Sequence, residues 1–323
     1  MSSTRTRGKV AVVGVGSVGA ATAFALTSSG VASELVLVDI DEEKAEGERM
    51  DLSHGAYFTP PVDITTGGYE DCWDADVVVV TAGTNQRPGE SRLELRERNV
   101  SIFEELIPQL TAGLADDAIL LVVTNPVDVL SYVSWTLSDL PAERVVGSGT
   151  VLDTSRFRHV LSRECDVDPK NVHGYVVGEH GDSEVMLWSS TNVAGVPFDT
   201  YAAAHCGGID EDGKDELEQE VREAAYEIIE RKGATNHAIA LATTEIVETI
   251  LRDENSILTV STLLEGEYGI EDVYTSVPCV VNRDGIRNVV ERDLPADEQA
   301  ALERSAGILA ENLADLGVRE SGE

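Results

Sequence analysis

The chain has 323 residues, 42% of them hydrophobic, and carries 24 basic against 59 acidic residues for a net charge of −35. That length suits two domains or one large α/β unit with a substantial core. The charge argues against nucleic acid and anionic membranes as partners, since both need basic patches, and no apolar run approaches the roughly twenty residues of a membrane span.

Met1 to Arg7 contains no apolar segment, so no signal peptide is expected and the reading is cytoplasmic. Cys72, Cys165, Cys206 and Cys279 lie far apart without metal-ligand spacing. They read as reduced structural thiols, and no metal site is expected. Only Lys9, Lys44, Lys170, Lys214 and Lys232 are lysines, and the acids run along the whole chain. A folded core under a diffuse, lysine-poor acidic coat suggests adaptation to high salt, because salt screens the self-repulsion.

The β-branched run Lys9 to Val13 predicts a buried strand ending at Gly14. Gly14-Val15-Gly16-Ser17-Val18-Gly19 follows, and Ala20 to Ser29 reads as a small-residue helix. A glycine motif between strand and helix fits a dinucleotide pyrophosphate. Gly14 allows the turn, Gly16 allows close approach, and Gly19 lets helix and strand pack. The helix N-terminus offers amide donors to the phosphates. Glu34 to Val38 is a second strand, and Asp39 at its end can accept from both ribose hydroxyls of NAD and repel the 2′-phosphate of NADP.

Asp41 to Tyr57 reads as helix, Val62 to Thr66 as a weak strand and Ala75 to Thr81 as a strong one. The loop Ala82 to Arg92, with Gly83 and Gly89 towards its two ends, can act as a lid before a helix from Leu93 to about Ala112. Arg92 on that lid can reach a substrate oxygen. It reads equally well as an ordinary surface arginine. Strand Ala118 to Val123 ends at Thr124-Asn125-Pro126, which puts Asn125 at a strand's carboxyl end, where doubly wound sheets bind ligands. The alternation from Lys9 to about Val146 predicts a Rossmann-type parallel sheet over residues 1–149, with an α+β substrate domain over 150–323.

The second half opens with a helix from Leu152 to about Cys165. Asp153 and Arg156, three apart, share one face of it. His180 lies in Val176-Val177-Gly178-Glu179-His180-Gly181-Asp182-Ser183, just after an apolar run that begins at Val172. A histidine that titrates near neutrality can donate and accept a proton. Asp153 would fix its tautomer and stabilise its cation, and Arg156 would clamp a carboxylate with two hydrogen bonds. The remainder reads as scaffold, with helices at Asp210 to Glu230, His237 to Leu251 and Pro295 to Leu316, and strands at Ser256 to Leu264 and Val273 to Val281.

With these residues in place, the chain resembles the lactate/malate dehydrogenase family over essentially its whole length. The matching motifs are Gly14 to Gly19, Gln86 to Arg92, Thr124-Asn125-Pro126, Leu152 to Phe157, Gly178 to Asp182 and Lys232-Gly233-Ala234-Thr235. The resemblance implies NAD-dependent interconversion of a 2-hydroxy acid and a 2-keto acid. His180 would exchange the proton with Asp153 behind it. Arg156 would hold the substrate carboxylate, Arg92 would polarise the carbonyl, and Asn125 would hydrogen-bond the substrate. For the cofactor it implies Gly14, Gly16, Val18, Gly19, Asp39, Gly83, Asn125, Ser148 and Ile239.

In the family, the residue six before the lid arginine faces the substrate's variable group, and here it is Gln86. A neutral amide leaves the second carboxylate of oxaloacetate without a charged partner, so the resemblance implies pyruvate and L-lactate. Thr235 would line the same pocket. Malate remains the alternative through the neighbouring Arg87. Arg158 and His173 match positions that hold fructose 1,6-bisphosphate in allosteric members, and a dimer or tetramer is implied. A non-catalytic NAD or metabolite sensor on the same fold is a further alternative, against which the complete set of reactive residues argues.

Overall fold

A computed structural model describes residues 8–84 and 92–318, with the side chain of Arg92 outside the description. In chain order the elements are β1 (Lys9–Val13), α1 (Ser17–Ser29), β2 (Glu34–Val38), α2 (Glu42–His54), β3 (Asp63–Thr66) and β4 (Val77–Val80). Next come α3 (Arg92–Thr111), β5 (Ile119–Val122), α4 (Val127–Leu137), β6 (Val145–Gly147), α5 (Val151–Glu164), β7 (Val172–His173), β8 (Val176–Val177) and β9 (Val185–Met186). The chain continues through β10 (Asn192–Val193), β11 (Val196–Pro197), α6 (Phe198–His205), α7 (Glu211–Lys232) and α8 (His237–Arg252). It closes with β12 (Ser256–Glu265), β13 (Glu271–Asn282), β14 (Gly285–Val289) and α9 (Ala296–Asp315). The long helices and strands expected from the sequence are present with ends shifted by a few residues.

Two compact units emerge. The first holds the residues up to Ser148 together with Asn236–Ile257 and Val280–Asn288; the second holds Gly149–Thr235, Leu258–Cys279 and Val289 onward. The first break between the units falls between Ser148 and Gly149. The sequence did not foresee that α8 joins the first unit, where it packs against α1.

The first unit is built on parallel strands in the order β6-β5-β4-β1-β2-β3. Val10 pairs with Leu35 on one side and Val77 on the other. Every residue of β4 and β5 is buried, as expected for strands covered by helices on both faces. Gly19 on α1 shows why this motif needs glycine. A Cβ there would lie 1.9 Å from the Gly14 carbonyl oxygen, so no other residue lets helix and strand approach so closely.

The second unit has its own core, in which Phe157 and Leu161 of α5 meet Val172, Val176, Met186, Phe198, and Leu217 and Val221 of α7. Trp188 packs edge to face against Phe157 and tilted against Phe198, with ring centroids 5.0 and 5.4 Å away. The apolar run from Val172 is not one strand. It breaks into β7, paired with β10, and β8, paired with β9. Between them Gly174 lies so close to the Phe157 ring that a Cβ would stand 2.9 Å from it.

Cys165 and Cys206, expected as reduced thiols, are joined in a disulfide with Cα atoms 4.9 Å apart. These residues cap the C-terminal ends of α5 and α6. Their 41-residue separation hid the contact. Cys72 and Cys279 are buried free thiols. Among the described residues no helix is long and apolar enough to cross a membrane.

Candidate active site

In the second unit α5 is stitched to β8 by two threonines. Thr150 Oγ1 donates to the Val176 carbonyl at 2.6 Å, and the Val176 amide donates to Thr154 Oγ1 at 2.9 Å. This tie sets the first turn of α5 beside the loop that follows β8. That loop is anchored in turn: Gly178 exchanges backbone hydrogen bonds with Ser276 at 2.8 and 3.1 Å, and the Glu179 amide donates to Ser305 Oγ of α9 at 2.8 Å. Gly178 has φ +88° and a Cβ would meet Ser305 Oγ at 2.6 Å. Glycine is therefore required at the point that turns the chain towards His180.

The result is a tight cluster. Asp153 is buried and uses both oxygens. Oδ2 lies 2.6 Å from His180 Nδ1, and Oδ1 accepts from Arg156 Nη1 at 2.7 Å. His180 and Arg156 keep 21% and 14% of their side-chain surface exposed, enough to meet a small ligand. Burial pushes the Asp153 carboxyl up, but the charge and hydrogen bond of His180, then those of Arg156, outweigh it and hold the group below its ordinary value. Asp153 is thus ionised, its contact places the His180 proton on Nδ1, and Nε2 becomes the atom that exchanges protons.

In the first unit a cavity of about 920 Å³ is lined by Gly14, Gly16, Asp39, Gly83 and Thr84, among others. Gly14 holds φ +94°. Gly16 is the N-cap of α1 with no side-chain cap, and a Cβ there would meet nothing within 4 Å. The first-turn amides of α1 therefore keep donors and space for a phosphate. Asp39 accepts from the Val15 amide at 2.7 Å and the Asp41 amide at 3.0 Å, which leaves carboxylate lone pairs directed to the cavity for ribose hydroxyls. These residues fit a dinucleotide.

Other expected residues lie elsewhere. Val18 is half-buried on α1, Ser148 donates its amide to Val122 at 2.8 Å, and Ile239 is half-buried on α8. None of the three lines the cavity. Asn125 is exposed after β5 and its carbonyl accepts from Asn99 Nδ2 at 2.9 Å. Thr235 follows α7 and is half-buried. Gln86, with Arg87, lies outside the described residues, and Arg92 opens α3. Arg158 Nε donates to the Gly174 carbonyl at 3.0 Å and its guanidinium lies over the Tyr175 ring at 5.5 Å, and His173 of β7 is exposed.

Sequence reasoning missed Lys44 and Tyr69, which line the cavity with Asp39. Lys44 had a signal: it is one of five lysines and stands five residues after Asp39. Tyr69 had none. Also missed were the threonine stitches and the Ser305 anchor.

A dinucleotide-fitting turn in one unit and a histidine and an arginine bridged by a buried aspartate in the other fit a nicotinamide-dependent dehydrogenase. Residues 8–147 match the lactate/malate dehydrogenase NAD binding domain, and residues 150–318 match the lactate/malate dehydrogenase alpha/beta C-terminal domain. The chain belongs to the lactate/malate dehydrogenase family. L-lactate dehydrogenase 1 of Clostridium acetobutylicum is 52% identical to it over 305 residues, 94% of this chain and 97% of that protein. The L-lactate dehydrogenase of Thermoanaerobacter pseudethanolicus is 49% identical over 310 residues, 96% of this chain and 99% of that one. The crystal structure of the minor L-lactate dehydrogenase of Enterococcus mundtii, ligands-bound form, superposes with a TM-score of 0.93 at 44% identity, covering 98% of this chain and 100% of that one.

Proposed function

We propose that the chain is an NAD-dependent L-lactate dehydrogenase that interconverts pyruvate and L-lactate. The observation that carries this reading is Asp153 bridging His180 and Arg156. NAD, when bound, supplies or accepts the hydride at the carbon that bears the oxygen. Gly14, Gly16 and Asp39 would hold its phosphates and ribose. Arg156 fixes the substrate carboxylate through its planar fork. His180 Nε2 gives its proton to the carbonyl oxygen during reduction and takes it back during oxidation. Asp153 stabilises the imidazolium and keeps its orientation. Arg92 would polarise the carbonyl, Asn125 would hydrogen-bond the substrate, and Thr235 would line the pocket, all three from family resemblance. The division into an NAD-binding domain over 1–149 and a substrate domain over 150–323, with α8 returning to the first, belongs to the same reading.

Gln86 supports pyruvate over oxaloacetate because a neutral amide offers no partner to a second carboxylate. NADH oxidation with each keto acid tests this. A higher kcat/KM for pyruvate supports it, and a preference for oxaloacetate would assign malate activity and bring Arg87 into the pocket.

Three finer readings accompany it. The acidic, lysine-poor composition supports salt adaptation. Arg158 and His173, at positions that match those holding fructose 1,6-bisphosphate in allosteric members of the family, support that bisphosphate as an effector. Tyr57 and Phe58, 90% and 84% exposed and edge to face at 5.1 Å, support burial against another copy in a dimer or tetramer. Use of NAD supports a cytoplasmic location, against which the Cys165–Cys206 bridge weighs.

A further inference from the structure

Glu184 is a buried acid that the reaction above leaves unused. It ends the His180 loop immediately before β9 and is only 4% exposed. Its Oε1 is buried with no hydrogen-bond partner among the described residues. The charged groups facing it are Asp153 and Arg156 from α5, His180 from its own loop, and Arg222 from α7. Arg222 Nη2 donates to the Glu184 backbone carbonyl at 3.2 Å and to the Glu218 carboxylate at 2.7 Å, so its charge is already matched by Glu218.

Two carboxyls in one dry cluster do not both ionise cheaply. Asp153 has the stronger hold on the cations, since it contacts both His180 and Arg156 directly. Glu184 is left as the protonated member. Burial first, and repulsion from Asp153 second, push its carboxyl up to about 8, against the smaller opposing pulls of His180, Arg222 and Arg156.

We propose that Glu184 is a positioning residue, a carboxylic acid kept neutral behind the Asp153–His180–Arg156 cluster, and that the loss of its proton abolishes the site's affinity for an anionic keto acid. The inference rests on the dehydrogenase reading. With His180 protonated and Glu184 neutral, Asp153, Arg156 and His180 sum to one positive charge, which the substrate carboxylate cancels. With Glu184 ionised that positive charge is cancelled before substrate arrives. The incoming carboxylate then brings an uncompensated negative charge into a poorly solvated site.

The test compares wild type with Glu184→Gln in the pH dependence of kcat/KM for pyruvate and of inhibition by oxamate, an unreactive anion of the same shape. Two protons, on His180 and Glu184, must be held by the wild type. Its kcat/KM therefore falls about a hundredfold per pH unit well above both ionisations, and that of the variant falls about tenfold. Oxamate inhibition follows the same two slopes. A second readout is independent of the variant's folding. Infrared difference spectra of wild type grown with 13C-labelled glutamate should show a protonated carboxyl band at neutral pH that disappears above about pH 8. Equal slopes in the two proteins, or no protonated glutamate band at neutral pH, would overturn the proposal. Failure of wild type to reduce either pyruvate or oxaloacetate would instead sink the dehydrogenase reading, and this inference with it.

Discussion

Replacing Asp153 by asparagine removes a charge that two cations share while keeping nearly the same volume. Asp153 is 1% exposed, and it contacts His180 Nδ1 at 2.6 Å and Arg156 Nη1 at 2.7 Å. Each is a charge-assisted hydrogen bond of about 1.5–3 kcal/mol in a site that water does not screen. If both are expressed in the transition state, the loss is about 3–6 kcal/mol. At about 1.4 kcal/mol per tenfold this is on the order of 10²- to 10⁴-fold in kcat/KM. The amide also presents an N–H to one of its two partners, which favours the wrong histidine tautomer or turns Arg156 aside. The two contacts should separate in steady-state kinetics of NADH oxidation by pyruvate. Loss at His180 lowers kcat, and loss of the Arg156 orientation raises KM. A folded Asp153→Asn protein whose kcat/KM stays within about threefold of wild type would show that the bridge has no part in catalysis.

Arg156→Lys keeps the charge but not the fork, so pyruvate KM should rise by about tenfold or more while NADH affinity, followed by fluorescence, is unchanged. Gly16→Ala and Gly19→Ala should part company. A Cβ at Gly16 meets nothing, whereas one at Gly19 lies 1.9 Å from the Gly14 carbonyl oxygen. The first variant should keep its melting temperature and bind NADH more weakly, and the second should lose stability outright. Glu184→Gln should raise the melting temperature in a pH-dependent way. A carboxyl raised from 4.5 to about 8 on folding costs nothing below pH 4.5. The cost grows as the pH rises to 8 and is constant above, where it reaches on the order of 3–5 kcal/mol. The gain of the variant over wild type should therefore be absent near pH 4 and largest above pH 8.

The parts of the fold that follow from local pattern were legible. Runs such as Val77 to Val80 are apolar throughout because both faces of a parallel strand are covered, and that pattern needs no knowledge of distant partners. The reactive cluster was legible for a related reason. Asp153 and Arg156 share a helix face through their spacing alone, and His180 announces itself by residue type and glycine setting. What stayed hidden depends on contacts across long separations. Thr154 of α5 and Thr150 at its N-cap hold β8 through bonds 22 and 26 residues apart, and Ser305 reaches Glu179 across 126. The Cys165–Cys206 bridge is of the same kind. Glu184 was invisible for another reason: in a chain with 59 acids, one more acid reads as coat, and only its burial distinguishes it.

The net charge also bears on how the proposed site would work. NADH and the keto acid are both anions, and each must approach a chain of net charge −35. In dilute buffer the field extends over about 10–30 Å and opposes their arrival, whereas in molar salt it is screened within about 3 Å. The Asp153 contacts, at 2.6 and 2.7 Å and with the carboxylate buried, lie inside even that distance and away from the ions that do the screening. Salt therefore removes the long-range repulsion between protein and substrates without weakening the cluster that, on the proposed function, binds and protonates the keto acid. On the proposed function, a chain of this net charge keeps its chemistry because that chemistry depends on a small, buried group of charges whose balance is set locally by Asp153, Arg156, His180 and Glu184.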